Sequence, residues 1–174
     1  IGMFSVYASQ YCTNGKILSY EPSAENFKLL QDNISQNNLK NITPNNFVIS
    51  NSNDYVNFYI NSDNTAHSIH DFTPNSIQVK SITLQTIFDS NKLDICNYLK
   101  LDCEGAEYEI IDSLPNEYFK KIKQIYIEYH FSDSNNNDLK NMIKKLESLS
   151  FKIIQESLEQ GMGSIYAVNK EFRD

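Results

Sequence analysis

Asp102, Glu104 and Glu107 gather around Gly105 where the apolar run Tyr98-Leu99-Lys100-Leu101 ends. An α/β enzyme commonly presents acid groups this way, at the carboxyl end of a buried strand. Asp102 is the first candidate for an active site, because a carboxylate there faces a cleft and can meet an acceptor hydroxyl. Glu104 can share in orienting that hydroxyl or in removing its proton. Glu107 begins the next helix, where it can brace the site or simply interact with exposed N–H groups. Carboxylates this near in sequence can raise one another's proton affinity if the fold brings them close. His130, at the end of the run Ile122–Tyr129, titrates near neutrality and can take a proton, with Glu128 as a candidate to orient it. A strand-end histidine is equally often structural or solvent-facing.

A second set reads as ligand-binding. Glu21 closes the run Lys16–Tyr20, and a carboxylate at such a strand end can accept hydrogen bonds from both hydroxyls of a ribose. Its plainer role is an exposed glutamate welcomed by the following helix dipole. Gly2 lacks the Cβ that would bar close approach of backbone to a ligand, although a lone glycine is more often a turn residue. Phe47 and Val48 can line a ligand, and burial in a sheet explains them almost as well. His67 and His70 invite a metal reading, with Asp102, Glu104 and Glu107 as further oxygen donors. Two histidines in a polar loop do not complete a metal constellation, so no metal is assigned and metal dependence stays an alternative.

The elements that must position these groups follow from periodicity. Met3, Phe4, Val6, Tyr7 and Tyr11 predict a helix over residues 3–11, and Lys16–Tyr20 a buried strand. Ser23 is placed as the N-cap of a helix whose inner face is Phe27, Leu30 and Ile34. Asn37–Asn46, with Pro44, reads as a connection into a strand centred on Phe47-Val48-Ile49. Tyr55–Ile60 predicts an added antiparallel strand, and 61–76 a surface loop. A short strand and helix follow through Val79, Ile82, Leu84, Ile87 and Phe88. After Gly105 the spacing of Ala106, Ile110, Ile111 and Leu114 predicts a helix with one buried stripe. Leu139, Met142, Ile143, Leu146 and Leu149 predict another, and Phe151–Ile154 with Ser164–Val168 a terminal hairpin. The succession points to an α/β domain, its sheet mostly parallel with an antiparallel strand near the C terminus.

Length and charge bound the reading. A chain of 174 residues suits one domain, 1–174, with a sizeable core. Its formal charge of -7 lacks the basic excess that nucleic acid or an anionic membrane favours. No apolar stretch is long enough to span a membrane, and Ile1-Gly2-Met3 lacks the basic flank of a signal peptide. Cys12, Cys96 and Cys103 show no paired spacing, so reduced thiols and a cytoplasmic setting are expected.

The segment Leu99-Lys100-Leu101-Asp102-Cys103-Glu104-Gly105-Ala106-Glu107 resembles the strand and Asp-x-Glu-Gly-Ala-Glu motif of the FkbM-type family of S-adenosylmethionine-dependent methyltransferases. Ile1-Gly2-Met3-Phe4-Ser5 is similar to the tail of that family's glycine-rich cofactor loop, Tyr20-Glu21-Pro22 to its second-strand acidic motif, and Ile127-Glu128-Tyr129-His130 to its later strand end. The four landmarks occur in family order across almost the whole chain. The resemblance implies a Rossmann-like class I methyltransferase fold, S-adenosylmethionine as cofactor, and methyl transfer to a hydroxyl of a sugar or sugar-containing small molecule. Asp102, Glu104 and His130 then form the acceptor side, with Gly2, Glu21, Phe47 and Val48 on the cofactor side. The family's first strand and its Asp-x-Gly-Ala-Asn segment have no counterpart before Gly2. The expectation is therefore a truncated domain lacking its first strand and most of the cofactor loop. Its exposed central edge can be filled by another chain in a homo-oligomer, and it would bind cofactor poorly. A noncatalytic ligand-binding or assembly module on the same scaffold is the alternative.

Overall fold

Short strand-to-helix units dominate the computed structural model, which describes residues 2–60, 68–69, 75–130, 137–159 and 162–172. Helix α1 (Met3–Ser9) is followed by strand β1 (Ile17–Tyr20), helix α2 (Ala24–Gln36) and strand β2 (Ile42–Asn45), which runs parallel to β1. The Ser23 side chain caps α2 by accepting the Asn26 N–H, as its sequence position predicts. The end of α1 is held by Asn41, whose side-chain amide donates to the carbonyls of Ser9 and Cys12. Strand β2 departs from the expected connection. Pro44 sits inside it opposite Ser19, which is tolerated because β2 is the edge of its two-stranded sheet and needs no donor on its outer side.

Strands β3 (Val48–Ile49), β4 (Tyr55–Tyr59) and β5 (Ser76–Ile82) form a second sheet in the order β3-β5-β4, with β4 antiparallel to β5 as expected. Strand β5 starts at Ser76, inside the stretch expected to be loop. Helix α3 (Leu84–Ser90) leads to β6 (Leu99–Asp102), α4 (Glu107–Ser113), the single turn α5 (Asn116–Phe119) and β7 (Gln124–His130). Helix α6 (Asn137–Ser148), β8 (Phe151–Glu159) and β9 (Met162–Asn169) complete the chain, and the third sheet has the order β6-β7-β9-β8. Strands β6 and β7 are parallel, whereas β9 is antiparallel to both β7 and β8. The α/β architecture and terminal hairpin are those expected, with mixed pairing throughout. Among the described residues β1 and β6 each have a ladder partner on one side only.

The core lies under the third sheet. Leu101, Ile125, Ile127, Tyr129 and Ile165 alternate inward along their strands and meet the α4 stripe of Ala106, Ile110, Ile111 and Leu114 and the α6 residues Leu139, Met142 and Leu146. Each such aliphatic side chain contributes roughly 1.5–3 kcal/mol on burial. Leu18 and Tyr20 of β1 pack against the edge of this core, which joins the first sheet to the third through side chains. Gly163 of β9 passes close over Tyr129, whose hydroxyl donates to the Ser157 carbonyl at 3.0 Å. No helix among the described residues is long and apolar enough to cross a membrane.

Candidate active site

Strands β1 and β6 end on the same side of the molecule, and their first following residues line one cleft of about 300 Å³. Glu21 and Pro22 form one wall and Asp102, Cys103 and Glu104 another, with Phe47, Val48, Ile49, Phe58 and Ile69 as the apolar surface between them. Five of the seven predicted site residues, Glu21, Phe47, Val48, Asp102 and Glu104, thus line one cleft. Gly2 and His130 are outside its lining. Gly2, in a left-handed conformation with φ 73°, presses on α2, where an added Cβ would fall 2.6 Å from Leu30 Cδ1. Its missing side chain serves packing against Leu30. His67 and His70 lie outside the described residues.

The Glu21 carboxylate is anchored from its own chain. Its Oε1 accepts the Ser23 N–H at 2.9 Å, and the buried Asn26 side chain hydrogen-bonds to it as well. Burial nevertheless holds its carboxyl above the ordinary range, the hydrogen bonds from Ser23 and Asn26 opposing that shift. Asn26 was not singled out by sequence reasoning. The signal was present, since a polar residue three places after the Ser23 cap lies on the inner side of the helix near Phe27 and Leu30. On the far side of Phe47, Lys80 Nζ stands 5.7 Å from the ring centroid.

At the other wall a tight turn presents Glu104. Glu104 has φ 51° and Gly105 φ 103°, so two successive residues take left-handed conformations between β6 and α4. The Ser68 hydroxyl donates to the Glu104 carbonyl at 2.6 Å. The Glu104 carboxylate lies 3.2 Å from His130 Nε2, and the fully buried Glu107 lies 3.4 Å from His130 Nδ1. That second approach brings a carboxylate against Nδ1 without a well-aligned hydrogen bond. Glu107 also accepts the N–H groups of Cys103 at 2.6 Å and Gly105 at 3.0 Å. Glu128 takes a different place from the orienting one expected of it: it faces Lys100 Nζ at 4.0 Å, and Lys100 is paired more tightly with Asp102. The register of β6 and β7 explains this, since Lys100 and Asp102 stand opposite Tyr126 and Glu128 on one sheet face.

These charges set the proton affinities. Glu107, with smaller contributions from Glu104 and Asp102, holds His130 above the usual histidine value against the effect of burial. Burial lifts Glu104, partly offset by His130 and reinforced by Asp102, Glu107 and Glu128. The Cys103 thiol is pushed up to about 12 by burial and by Glu107, although the residue as a whole keeps some exposure, so it stays protonated. Donor atoms of Asp102, Glu104 and His130 lie within 4.8 Å of one another, near enough to share a cation. Their chemistry fits internal pairing better: Asp102 is engaged by Lys100, and both ring nitrogens of His130 already face carboxylates, Glu104 and Glu107.

Among solved structures, the precorrin-6y C5,15-methyltransferase of Geobacter metallireducens GS-15 is similar at a TM-score of 0.53 and 14% identity, over 94% of this chain and 72% of that one. The human methyltransferase 10 domain containing protein is similar at a TM-score of 0.49 and 13% identity, over 91% of this chain and 62% of that one. TYW2 of M. jannaschii, in complex with AdoMet, is similar at 0.43 and 10% identity, over 94% of this chain and 61% of that one. The first likeness shows a class I Rossmann-like methyltransferase fold. No curated protein matches the sequence at a significant level. The model of the methyltransferase FkbM domain matches residues 2–153, most of the sequence, and the chain belongs to the FkbM methyltransferase family.

Proposed function

We propose that the protein catalyses methyl transfer from S-adenosylmethionine to a hydroxyl oxygen of a sugar or sugar-containing small molecule. The observation that carries this reading is a cleft with an anchored glutamate at one wall, Asp102 and Glu104 at the other, and an apolar surface beside them. That arrangement fits a nucleoside whose ribose meets Glu21 and whose base lies against Phe47 and Val48. When bound, S-adenosylmethionine supplies an electrophilic methyl carbon. Asp102 and Glu104 orient the acceptor hydroxyl, and Glu104, whose proton affinity burial has raised, takes the proton as the new carbon–oxygen bond forms and the carbon–sulfur bond breaks. His130 acts through Glu104 rather than as the base, since it lies off the cleft and stands 3.2 Å from the Glu104 carboxylate. Proper alignment supplies most of the acceleration, because such a displacement needs no covalent protein nucleophile.

The test is product analysis with methyl-labelled S-adenosylmethionine, the protein and a panel of sugars and glycosylated metabolites. Label recovered as a methyl ether supports the proposal, and label on nitrogen or on protein overturns the acceptor class. Calorimetric binding of S-adenosylmethionine with no transfer to any acceptor in the panel would favour the noncatalytic scaffold.

A further inference from the structure

Glu107 has no part in the chemistry described above, yet it is the one fully buried carboxylate among the described residues of the core. A buried charge is retained only where partners compensate its desolvation. Its partners are informative. One oxygen accepts the N–H of Cys103 and the other that of Gly105, the residues immediately before and after Glu104. One side chain therefore clasps the turn on both sides of Glu104 and holds that residue at φ 51°, a conformation that non-glycine residues rarely adopt. The same carboxylate lies 3.4 Å from His130 Nδ1, while the opposite ring nitrogen lies 3.2 Å from Glu104. Glu107 thus touches Glu104 by two routes, through the backbone that carries it and through the imidazole beside it.

We infer that Glu107 is the positioning residue of the site, fixing the backbone of Glu104 and orienting His130 against it. This rests on the reading of Glu104 as proton acceptor only for its catalytic consequence; the geometric claim stands apart. The groups facing His130 are Glu107 from α4, Glu104 from the turn and Asp102 from β6, the last paired with Lys100, while Glu128 lies 4.0 Å from the same lysine. Its neighbour across β9 is Met162, which does not titrate. Removing the Glu107 charge therefore leaves burial to act on His130 with less opposition.

The test is Glu107→Gln in the intact protein, read by NMR of histidine labelled with carbon-13, the His130 signal being identified by its loss in His130→Gln. Expected are a His130 titration at lower pH than in the wild type and faster amide exchange at Cys103 and Gly105. In turnover, kcat falls by about 100-fold, as for a misplaced reacting group, with KM for S-adenosylmethionine little changed. An unchanged His130 midpoint in a folded variant overturns the inference, as does unchanged exchange at both amides. If the variant does not fold, the wild type decides: the Glu107 carboxyl carbon must respond as His130 titrates, and a flat signal across that range overturns the inference. Normal NMR behaviour without any methyl transfer would sink the proposed activity and leave the role of Glu107 intact.

Discussion

Gly163→Ala should be strongly destabilising, and its effect should reach the strand end that carries His130. A Cβ at this position would fall 2.5 Å from Tyr129 Cζ, and closer still to the Tyr129 hydroxyl oxygen and the Ser157 carbonyl oxygen. Neither neighbour has an easy retreat. Tyr129 is fully buried, and Ser157 contributes backbone from the adjoining strand β8. Overpacking of this kind costs about 1–3 kcal/mol, and the hydrogen bond from Tyr129 to Ser157 adds about 1 kcal/mol if it breaks. A total of about 2–4 kcal/mol corresponds to a fall in Tm of roughly 5–15 °C for a domain of this size. Calorimetric melting of the two proteins measures it. A fall under about 2 °C, less than 1 kcal/mol would produce, would refute the reasoning and mean that β9 yields where the packing says it cannot.

With the ribose meeting Glu21 as proposed, Glu21→Gln should weaken S-adenosylmethionine binding by about 30-fold or more, since two hydrogen bonds to a charged acceptor would become neutral ones; titration calorimetry reads the change. His130 holds its proton more tightly in the folded protein, so its contribution to stability is complete below the reference value of 6.5 and is lost as pH rises through the folded value. His130→Gln should accordingly flatten the dependence of Tm on pH above 6.5, and an unaltered profile would remove His130 as the titrating group. Asn169→Ala should cost about 1–3 kcal/mol in denaturant unfolding, because the buried Asn169 amide serves the carbonyls of Phe119 and Ile122; Phe119 keeps the Ile122 N–H, whereas Ile122 loses this donor.

Where local pattern and tertiary structure agree, the sequence was readable. The Ser23 cap, the α4 stripe and the terminal hairpin all follow from short-range spacing. Glu107 belongs with them in hindsight: Ile110, Ile111 and Leu114 stand three, four and seven residues beyond it, so the same periodicity that buries them buries it. What was not legible depended on partners from other elements. Pro44 argues against a strand locally, and only the edge position of β2 makes it harmless. Strands β8 and β9 run further than their apolar cores because each completes the ladder of the other. The spacing of Glu128 and His130 suggested a pair, but register turns Glu128 toward Lys100 while helix α4 supplies the carboxylate that faces His130. Glu21 and Asp102 were found because strand ends announce themselves, whereas Asn26 and Ser68 matter only through groups they meet in space.

The seam between the first and third sheets gives the cleft a mechanical meaning. Among the described residues no ladder bond crosses from β1 to β6, and the join is made by side chains: Leu18 and Tyr20 against the core, Phe4 stacked on Tyr98, and Lys16 donating to Asn91. Glu21 rides on one block and Glu104 on the other. Such a seam is where a fold opens below the free energy of global unfolding. A ligand reaching from Glu21 to Glu104 spans it as a tie rod, and at one hundred times its Kd adds about 2.7 kcal/mol to the work of parting the blocks. Ligand-loaded protein is therefore expected to unfold in one cooperative transition, and the empty protein to open first along this seam.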